Sequence, residues 1–90
     1  MFKKGQKKGT VRFTLSGNAL GEKAQLAGDF NGWKPVAMRK QKSGFGVTVD
    51  VPPGMHQYKF LLDGAWLADP DNSDWAVSPL GTINSVVTAG

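Results

Sequence analysis

From Thr10 onward, apolar residues recur at every second position. Val11, Phe13 and Leu15 alternate with Arg12 and Thr14, and Phe45, Val47, Val49 and Val51 alternate with Gly46, Thr48 and Asp50. A period of two is that of a strand with one face buried and one face wet. No stretch carries the 3.6-residue period of an amphipathic helix. Turn signals interrupt the pattern at Ser16-Gly17-Asn18, Asn31-Gly32, Ser43-Gly44, Pro53-Gly54 and Asp63-Gly64. Pro-Gly suits a type II turn, and Asn-Gly and Asp-Gly suit type I′. Short strands so punctuated predict an all-β, antiparallel sandwich or barrel.

Two of these turns predict a register. With Pro53-Gly54 as a two-residue loop, Val51 opposes His56, Val49 opposes Tyr58, Thr48 opposes Lys59 and Val47 opposes Phe60. With Asp63-Gly64 as another, Leu61 opposes Trp66 and Phe60 opposes Leu67. Opposed residues share a face. One face then holds Val47, Val49, Val51, Tyr58, Phe60 and Leu67, which is core; the other holds Thr48, Asp50, Gln57, Lys59, Leu61 and Trp66. Trp66 thus stands on the polar face, diagonal to Lys59 at roughly 7 to 8 Å. Trp33 closes the stretch LAGDFNGW directly after Asn31-Gly32, again at a position that the alternation does not assign to the core.

Ninety residues with 40% hydrophobic content make one globular domain. Without cysteine there is neither a disulfide framework nor a zinc-thiolate site, which fits a reducing compartment. No apolar run has the length of an export signal or a membrane span, so a cytoplasmic location is expected. The net charge of +4 is uneven: Lys3, Lys4, Lys7, Lys8 and Arg12 precede any acid, leaving six basic against seven acidic residues in the rest. Residues 1–9 are therefore expected to form a flexible, solvated basic tail before a single domain over 10–90; contact with phosphates is the other reading.

Exposed aromatic faces beside polar side chains suit a ligand with an apolar face and a polar edge. Sugar rings have both, in their axial C–H groups and their hydroxyls. Nucleic-acid bases would stack as well, but they bring phosphates to a body without surplus positive charge. Lys59 either donates to hydroxyls or pairs with Asp50 across the strands. Asn84 either bridges neighbouring hydroxyls or completes a turn. Glycoside hydrolysis needs two positioned carboxylates, and Asp69, Asp71 and Asp74 crowd one loop. That loop also departs from a calcium loop, with Asp74 where glycine is needed and Leu80 where glutamate is needed. His56, the one histidine, is turned inward by hairpin parity, against a nucleophile–base pair. No catalytic residue, metal or cofactor is expected.

Three ordered motifs, LAGDFNGW, PPGMHQYKFLLDGAW followed by Asp69-Pro70, and LGTINSVV, resemble the family 48 carbohydrate-binding modules over about Thr10 to Thr88. These are early-set immunoglobulin-like domains, found ahead of isoamylases and glycogen-branching enzymes and as the glycogen-binding domain of the AMP-activated protein kinase β subunit. The resemblance implies an immunoglobulin-like β-sandwich that binds α-glucan polysaccharide or oligosaccharide without catalysis, in company with a glucan-metabolising enzyme and not with nucleic acid or membrane. It carries stacking to Trp33 and Trp66, hydrogen bonding to Lys59 and Asn84, and completion of the site to Leu80 and Thr82. The segment PDNSDWAVSP is longer than in the kinase subunit and adds Trp75, read as a core plug rather than a third contact. An early-set protein-interaction or spacer module is the competing reading. Convergence of Trp33, Lys59, Trp66 and Asn84 on one patch discriminates between the two.

Overall fold

The computed structural model describes residues 1–16, 22–42 and 44–89. Among the described residues ten strands, all paired antiparallel, form two sheets: β1 (Phe2–Lys4), β2 (Thr10–Ser16), β3 (Ala24–Gly28), β4 (Val36–Ala37), β5 (Arg39–Gln41), β6 (Gly44–Asp50), β7 (Gly54–Leu62), β8 (Ala65–Leu67), β9 (Trp75–Val77) and β10 (Ile83–Ala89). The first sheet runs β1-β2-β6-β5 and the second β4-β3-β7-β10-β9, with β8 added to β7. The fold is the antiparallel, immunoglobulin-like β-sandwich that the alternation and the resemblance imply. Its core lies between the sheets, where Phe13 and Leu15 of β2 meet Leu26 of β3, Tyr58 and Phe60 of β7 and Val87 of β10, all fully buried. Edge-to-face packing of Tyr58 on Phe13, with centroids 4.8 Å apart, joins the layers, and Tyr58 packs in the same way on Phe60 of its own strand at 5.7 Å.

The Asp63-Gly64 turn has the expected geometry. Both residues have positive φ, 49° and 86°, as type I′ requires, and Leu62 opposes Ala65, Leu61 opposes Trp66 and Phe60 opposes Leu67. The turn at Pro53-Gly54 does not join paired strands. β6 pairs with β2, Val49 opposing Val11, whereas β7 pairs with β3 and β10, so the chain crosses from one sheet to the other there. The turn reverses direction without selecting a partner, and the valines of β6, set across the sandwich from the fully buried Tyr58 and Phe60, pack half-buried against the core. Asp50 and Lys59 consequently stand on different sheets, which removes the ion pair considered for them. The inward and outward sense of each strand survives, because parity along a strand does not depend on its neighbour, but the shared polar face does not: Thr48 and Asp50 lie on the outer face of the first sheet, and Gln57, Lys59, Leu61 and Trp66 on that of the second. The turns read at Ser16-Gly17-Asn18 and Ser43-Gly44 reach outside the described residues.

Two further corrections concern aromatic residues. The basic segment expected as a free tail supplies β1, pairing Phe2 with Phe13 and Lys4 with Val11. Phe2 packs on the core with its ring edge-on to Tyr58 at 6.5 Å, so one apolar side chain among lysines docks the strand. Trp75 is no core plug: it lies on β9, the outermost strand of its sheet, and remains 59% exposed.

Beneath the core runs one buried polar network. The Tyr58 hydroxyl donates to Asp69 Oδ2 at 2.6 Å and accepts from Asn72 Nδ2 at 3.0 Å; the Asp69 amide donates to Ser85 Oγ at 2.7 Å. Burial, and next its bond to Asp69, hold the Tyr58 phenol far above its ordinary pKa of 10.0. Above that pH the unfolded chain loses the proton and the folded chain keeps it, so the unfolded state binds fewer protons and stability falls as pH rises. Stability should therefore be undiminished by this group below about pH 10 and decline beyond it. Tyr58 is the one tyrosine in the chain, so tyrosinate absorbance should appear only together with unfolding; absorbance gained by the folded protein would contradict the buried network. For β1, Phe2→Ala should lower stability in a denaturant titration by about 1–2 kcal/mol, part of the roughly 1.5–3 kcal/mol for burying a whole Phe side chain. A freely solvated tail would give no change.

Candidate functional site

The outer face of the second sheet is laid out by β7. Its one edge pairs with β3, and its other edge is divided between β10, against residues 54–58, and β8, against residues 60–62. Lys59 stands where the two partners meet, with Trp66 on the β8 side and Asn84 at the start of β10. Because Tyr58 and Phe60 point into the core, Gln57, Lys59 and Leu61 point out. This face opens into a concavity of about 680 Å³ lined by Trp33, Lys59, Trp66, Leu80, Thr82 and Asn84 together with Asp29, Gln57, Ser78 and Pro79. All six residues singled out by resemblance therefore converge on one surface depression.

Trp33 reaches it by a route that its sequence position conceals. Asn31-Gly32 is not a two-residue hairpin turn: Asp29–Asn31 form a single 3-10 turn, Gly32 follows at φ 68°, and Trp33 itself has φ 61°. A bulky residue in the left-handed region is strained by about 1–3 kcal/mol and persists only when its surroundings over-determine it. Three features do so. The Trp33 amide donates to Gly28 O at 2.8 Å, and the Gly28 amide donates to Asn31 Oδ1 at 3.1 Å. Phe30 turns inward and stacks on Phe13 at 5.6 Å, passing so close to Gly28 that a Cβ there would lie 2.4 Å from its ring. Asp29 fastens the turn to β7, with Oδ1 2.7 Å from His56 Nδ1 and Oδ2 accepting from the Gln57 amide at 2.9 Å. His56 Nε2 is 2.9 Å from Pro52 O, so both ring nitrogens face oxygens, and the histidine serves the turn rather than any nucleophile. With Phe30 anchored inside, Trp33 is left at the surface, 37% exposed.

The opposite rim is the β9–β10 connection. Ser78 Oγ accepts from the Leu80 amide at 3.3 Å and the Thr82 amide at 3.2 Å, and lies 2.7 Å from Thr82 Oγ1. Gly81, at φ 83°, supplies the left-handed residue that the tight loop needs. Leu80 is thereby held out at 91% exposure, and Trp66 at 52%. Asn84, in contrast, is buried and donates from Nδ2 to Gln57 Oε1 at 3.0 Å. That bond occupies the Gln57 carbonyl and leaves its amide N–H groups for the concavity. The polar lining thus mixes donors, Lys59 and Gln57, with acceptors, the Asp29 carboxylate and Asn84 Oδ1, and with the two-way hydroxyl of Thr82.

Sequence reasoning missed Asp29, Gln57 and Ser78. Ser78 had a usable signal, a hydroxyl residue four positions before Thr82 across a Pro-Leu-Gly turn. The contacts of Asp29 and Gln57 are made between residues far apart in the chain. Asp69, the first carboxylate of the crowded loop, is buried beneath Tyr58 and does not line the concavity. Among the described residues no group of three His, Cys, Asp or Glu side chains could hold a metal, and no helix is long and apolar enough to cross a membrane.

A sequence profile of the family described as the glycogen recognition site of AMP-activated protein kinase matches residues 10–90. The chain is 39% identical over 67 residues to 5′-AMP-activated protein kinase subunit beta-1 of Sus scrofa, covering 74% of this chain and 54% of that protein. To the beta-1 subunit of Homo sapiens it is 37% identical, over 74% of this chain and 24% of that one, and to beta-2 of Mus musculus 38%, over 74% and 25%. It thus spans between about a quarter and a half of these relatives. The crystal structure of the maltogenic amylase from S. marinus superposes with a TM-score of 0.73 at 24% identity, covering 90% of this chain and 13% of that one, and shares the fold.

The Asp29 clamp carries a prediction of its own. Asp29→Ala should cost about 1–2 kcal/mol by leaving His56 and the Gln57 amide without their acceptor. It should also speed hydrogen exchange at the Trp33 amide ahead of the core amides. Unchanged exchange at Trp33 would mean that Phe30 and the hydrogen bonds among Gly28, Asn31 and Trp33 hold the turn without Asp29.

Proposed function

The chain belongs to the glycogen-recognition family of AMP-activated protein kinase, and we propose that it binds α-glucan chains by stacking sugar rings on Trp33 and Trp66. Lys59, Asn84 and Thr82 hydrogen-bond the hydroxyl edges, and Leu80 adds an apolar contact from the rim. The observation that carries this reading is the convergence of these residues on one concavity from four separate segments of chain. A docking or spacer module has no need of that convergence. Stacking suits the apolar ring faces, and the mixed donors and acceptors suit vicinal hydroxyls, each of which both gives and takes a hydrogen bond.

The module acts as a binder and not as a hydrolase. Of the carboxylates of the crowded loop, Asp69 is committed to Tyr58 and to the Asp71 amide, while Asp29, the carboxylate at the concavity, is engaged on both oxygens. A cytoplasmic setting beside a glucan-metabolising enzyme is part of the same proposal, the cysteine-free sequence fitting a reducing compartment.

An open, shallow face gains only about 4 to 7 kcal/mol, so maltooligosaccharides should bind with Kd of roughly 10 μM to 1 mM, followed by tryptophan fluorescence with cellooligosaccharide as control. Trp66→Ala should remove most of the affinity and shift stability little, because its ring stands outside the core. Phe60→Ala, on the other face of the same hairpin, should cost about 3–5 kcal/mol of folding stability. Glucan retention untouched by Trp66→Ala would favour the docking module. Release of reducing sugar, abolished by a single carboxylate substitution, would overturn the non-catalytic reading.

A further inference from the structure

The outer face of the first sheet, on the far side of the sandwich from the concavity, carries positive charge that glucan binding does not use. Lys3, Arg12 and Thr48 are opposed in one row across β1, β2 and β6, and Arg39 of β5 is opposed to Gly46 of β6. Like charges directly opposite one another destabilise a sheet, so the Lys3–Arg12 pair calls for a compensating anion. Among the described residues Asp69 pairs with the chain's amino terminus and Asp29 contacts the His56 ring, and neither contact involves Lys3, Arg12 or Arg39. Asp50, the acid of this face, is opposed to Thr10, beyond Thr48 along β6.

Around Gly46 the face sinks into a second depression of about 420 Å³, lined by Arg12, Arg39, Gln41 and Thr48. Its floor exists because residue 46 has no side chain. A Cβ there would lie 2.7 Å from Arg12 Nη2 and 2.9 Å from Gln41 Nε2, so two N–H donors from different strands converge over one point. Arg12 Nη1 is turned to Thr48 Oγ1 at 3.3 Å, which leaves Nη2 over the glycine.

We propose that this cradle binds a phosphoryl group, either as free phosphate or as the phosphate monoester of a sugar. Two guanidinium forks and an amide provide more donors than the two oxygens of a carboxylate can satisfy. A phosphoryl group presents three acceptor oxygens and a charge near −2, which Lys3, Arg12 and Arg39 offset. The cradle is shallow and wet, so binding is modest and weakens with salt. Because the two depressions lie on different sheets, a phosphoryl ligand and a glucan occupy the domain together without competing.

Titration with inorganic phosphate and with glucose 6-phosphate, against glucose as control, is followed through the backbone amide NMR signals. Saturable shifts should be confined to the lining of the cradle, Arg12, Arg39, Gln41, Gly46 and Thr48. Arg12→Gln should weaken the response about tenfold or more, the size expected for losing a charge-assisted hydrogen bond, and Gly46→Ala should weaken it by displacing Arg12 Nη2 and Gln41 Nε2, both with maltooligosaccharide affinity unchanged. Lys23→Gln, beside the β7–β8 turn, should leave it intact. Tighter binding of glucose 6-phosphate identifies a sugar phosphate, and equal binding of both identifies free phosphate. Shifts that do not saturate, that spread over Lys7, Lys8 and Lys23, or that persist in Arg12→Gln overturn the proposal. Should Gly46→Ala fail to fold, Arg12→Gln decides.

Discussion

The pleat of β7, paired along both edges, sets core and candidate site at once. Tyr58 and Phe60 have no exposed surface, and Tyr58 is further held by Asp69 and Asn72. Sliding this strand by one residue would turn those rings to water and drive Lys59 and Gln57 into the core, where an unpaired ammonium group is costly. Register is therefore fixed by the buried face, and the outward presentation of Gln57, Lys59 and Leu61 follows. The divided edge adds the rest: with β10 ending its pairing at Tyr58 and β8 beginning at Phe60, side chains from both strands border Lys59. Nothing about the ligand is needed to explain this floor.

Trp33 is arranged on the opposite principle, by a local conformation that the residue itself disfavours. The chain places Phe30 inside and Trp33 outside within four residues, and the 3-10 turn with two successive left-handed residues is what permits both. The strain, of order 1–3 kcal/mol, is offset by the Phe30–Phe13 stack and by the hydrogen bonds of Asp29 and Asn31. An aromatic platform held in this way loses little further freedom when a ligand arrives, which lowers the entropic cost of binding.

What could be read from the sequence follows the same division between local and distant causes. The Asp63-Gly64 hairpin and the facing of Trp66 were legible, because two adjacent residues determine the turn and the turn determines the register. Pro53-Gly54 was legible as a change of direction and illegible as a choice of partner, since β6 finds β2 some thirty-five residues away through matching apolar faces. Phe2 carried no period of its own among lysines, yet its ring docks on Tyr58, and together with the pairing of the amino terminus to Asp69 and the ladder to β2 it orders β1. Trp75 was misread because hydrophobicity alone does not locate the boundary of a sheet. It shares a face with the buried Ser85, but its strand is the outermost one. The six residues of the candidate site were reached through motif resemblance. Alternation placed Trp66 and Lys59 on the right face and had nothing to say about how the β9–β10 loop would curl towards them.

A site built on the wet face of a sheet is largely separable from the stability of the fold, and Asn84 is where that separation fails. Trp66 and Leu80 can be truncated without opening a cavity, since their surroundings are already solvent. Asn84 is 7% exposed and its amide holds the Gln57 side chain. Removing it would leave a polar group of Gln57 without its donor and loosen the seam between β7 and β10. On the proposed reading, a loss of affinity at Trp66 would report a surface, whereas a loss at Asn84 would report both a hydrogen bond to ligand and the positioning of Gln57. Within one concavity, the exposed rings can vary with the ligand to be held, while the buried amide is constrained by the sheet that holds it.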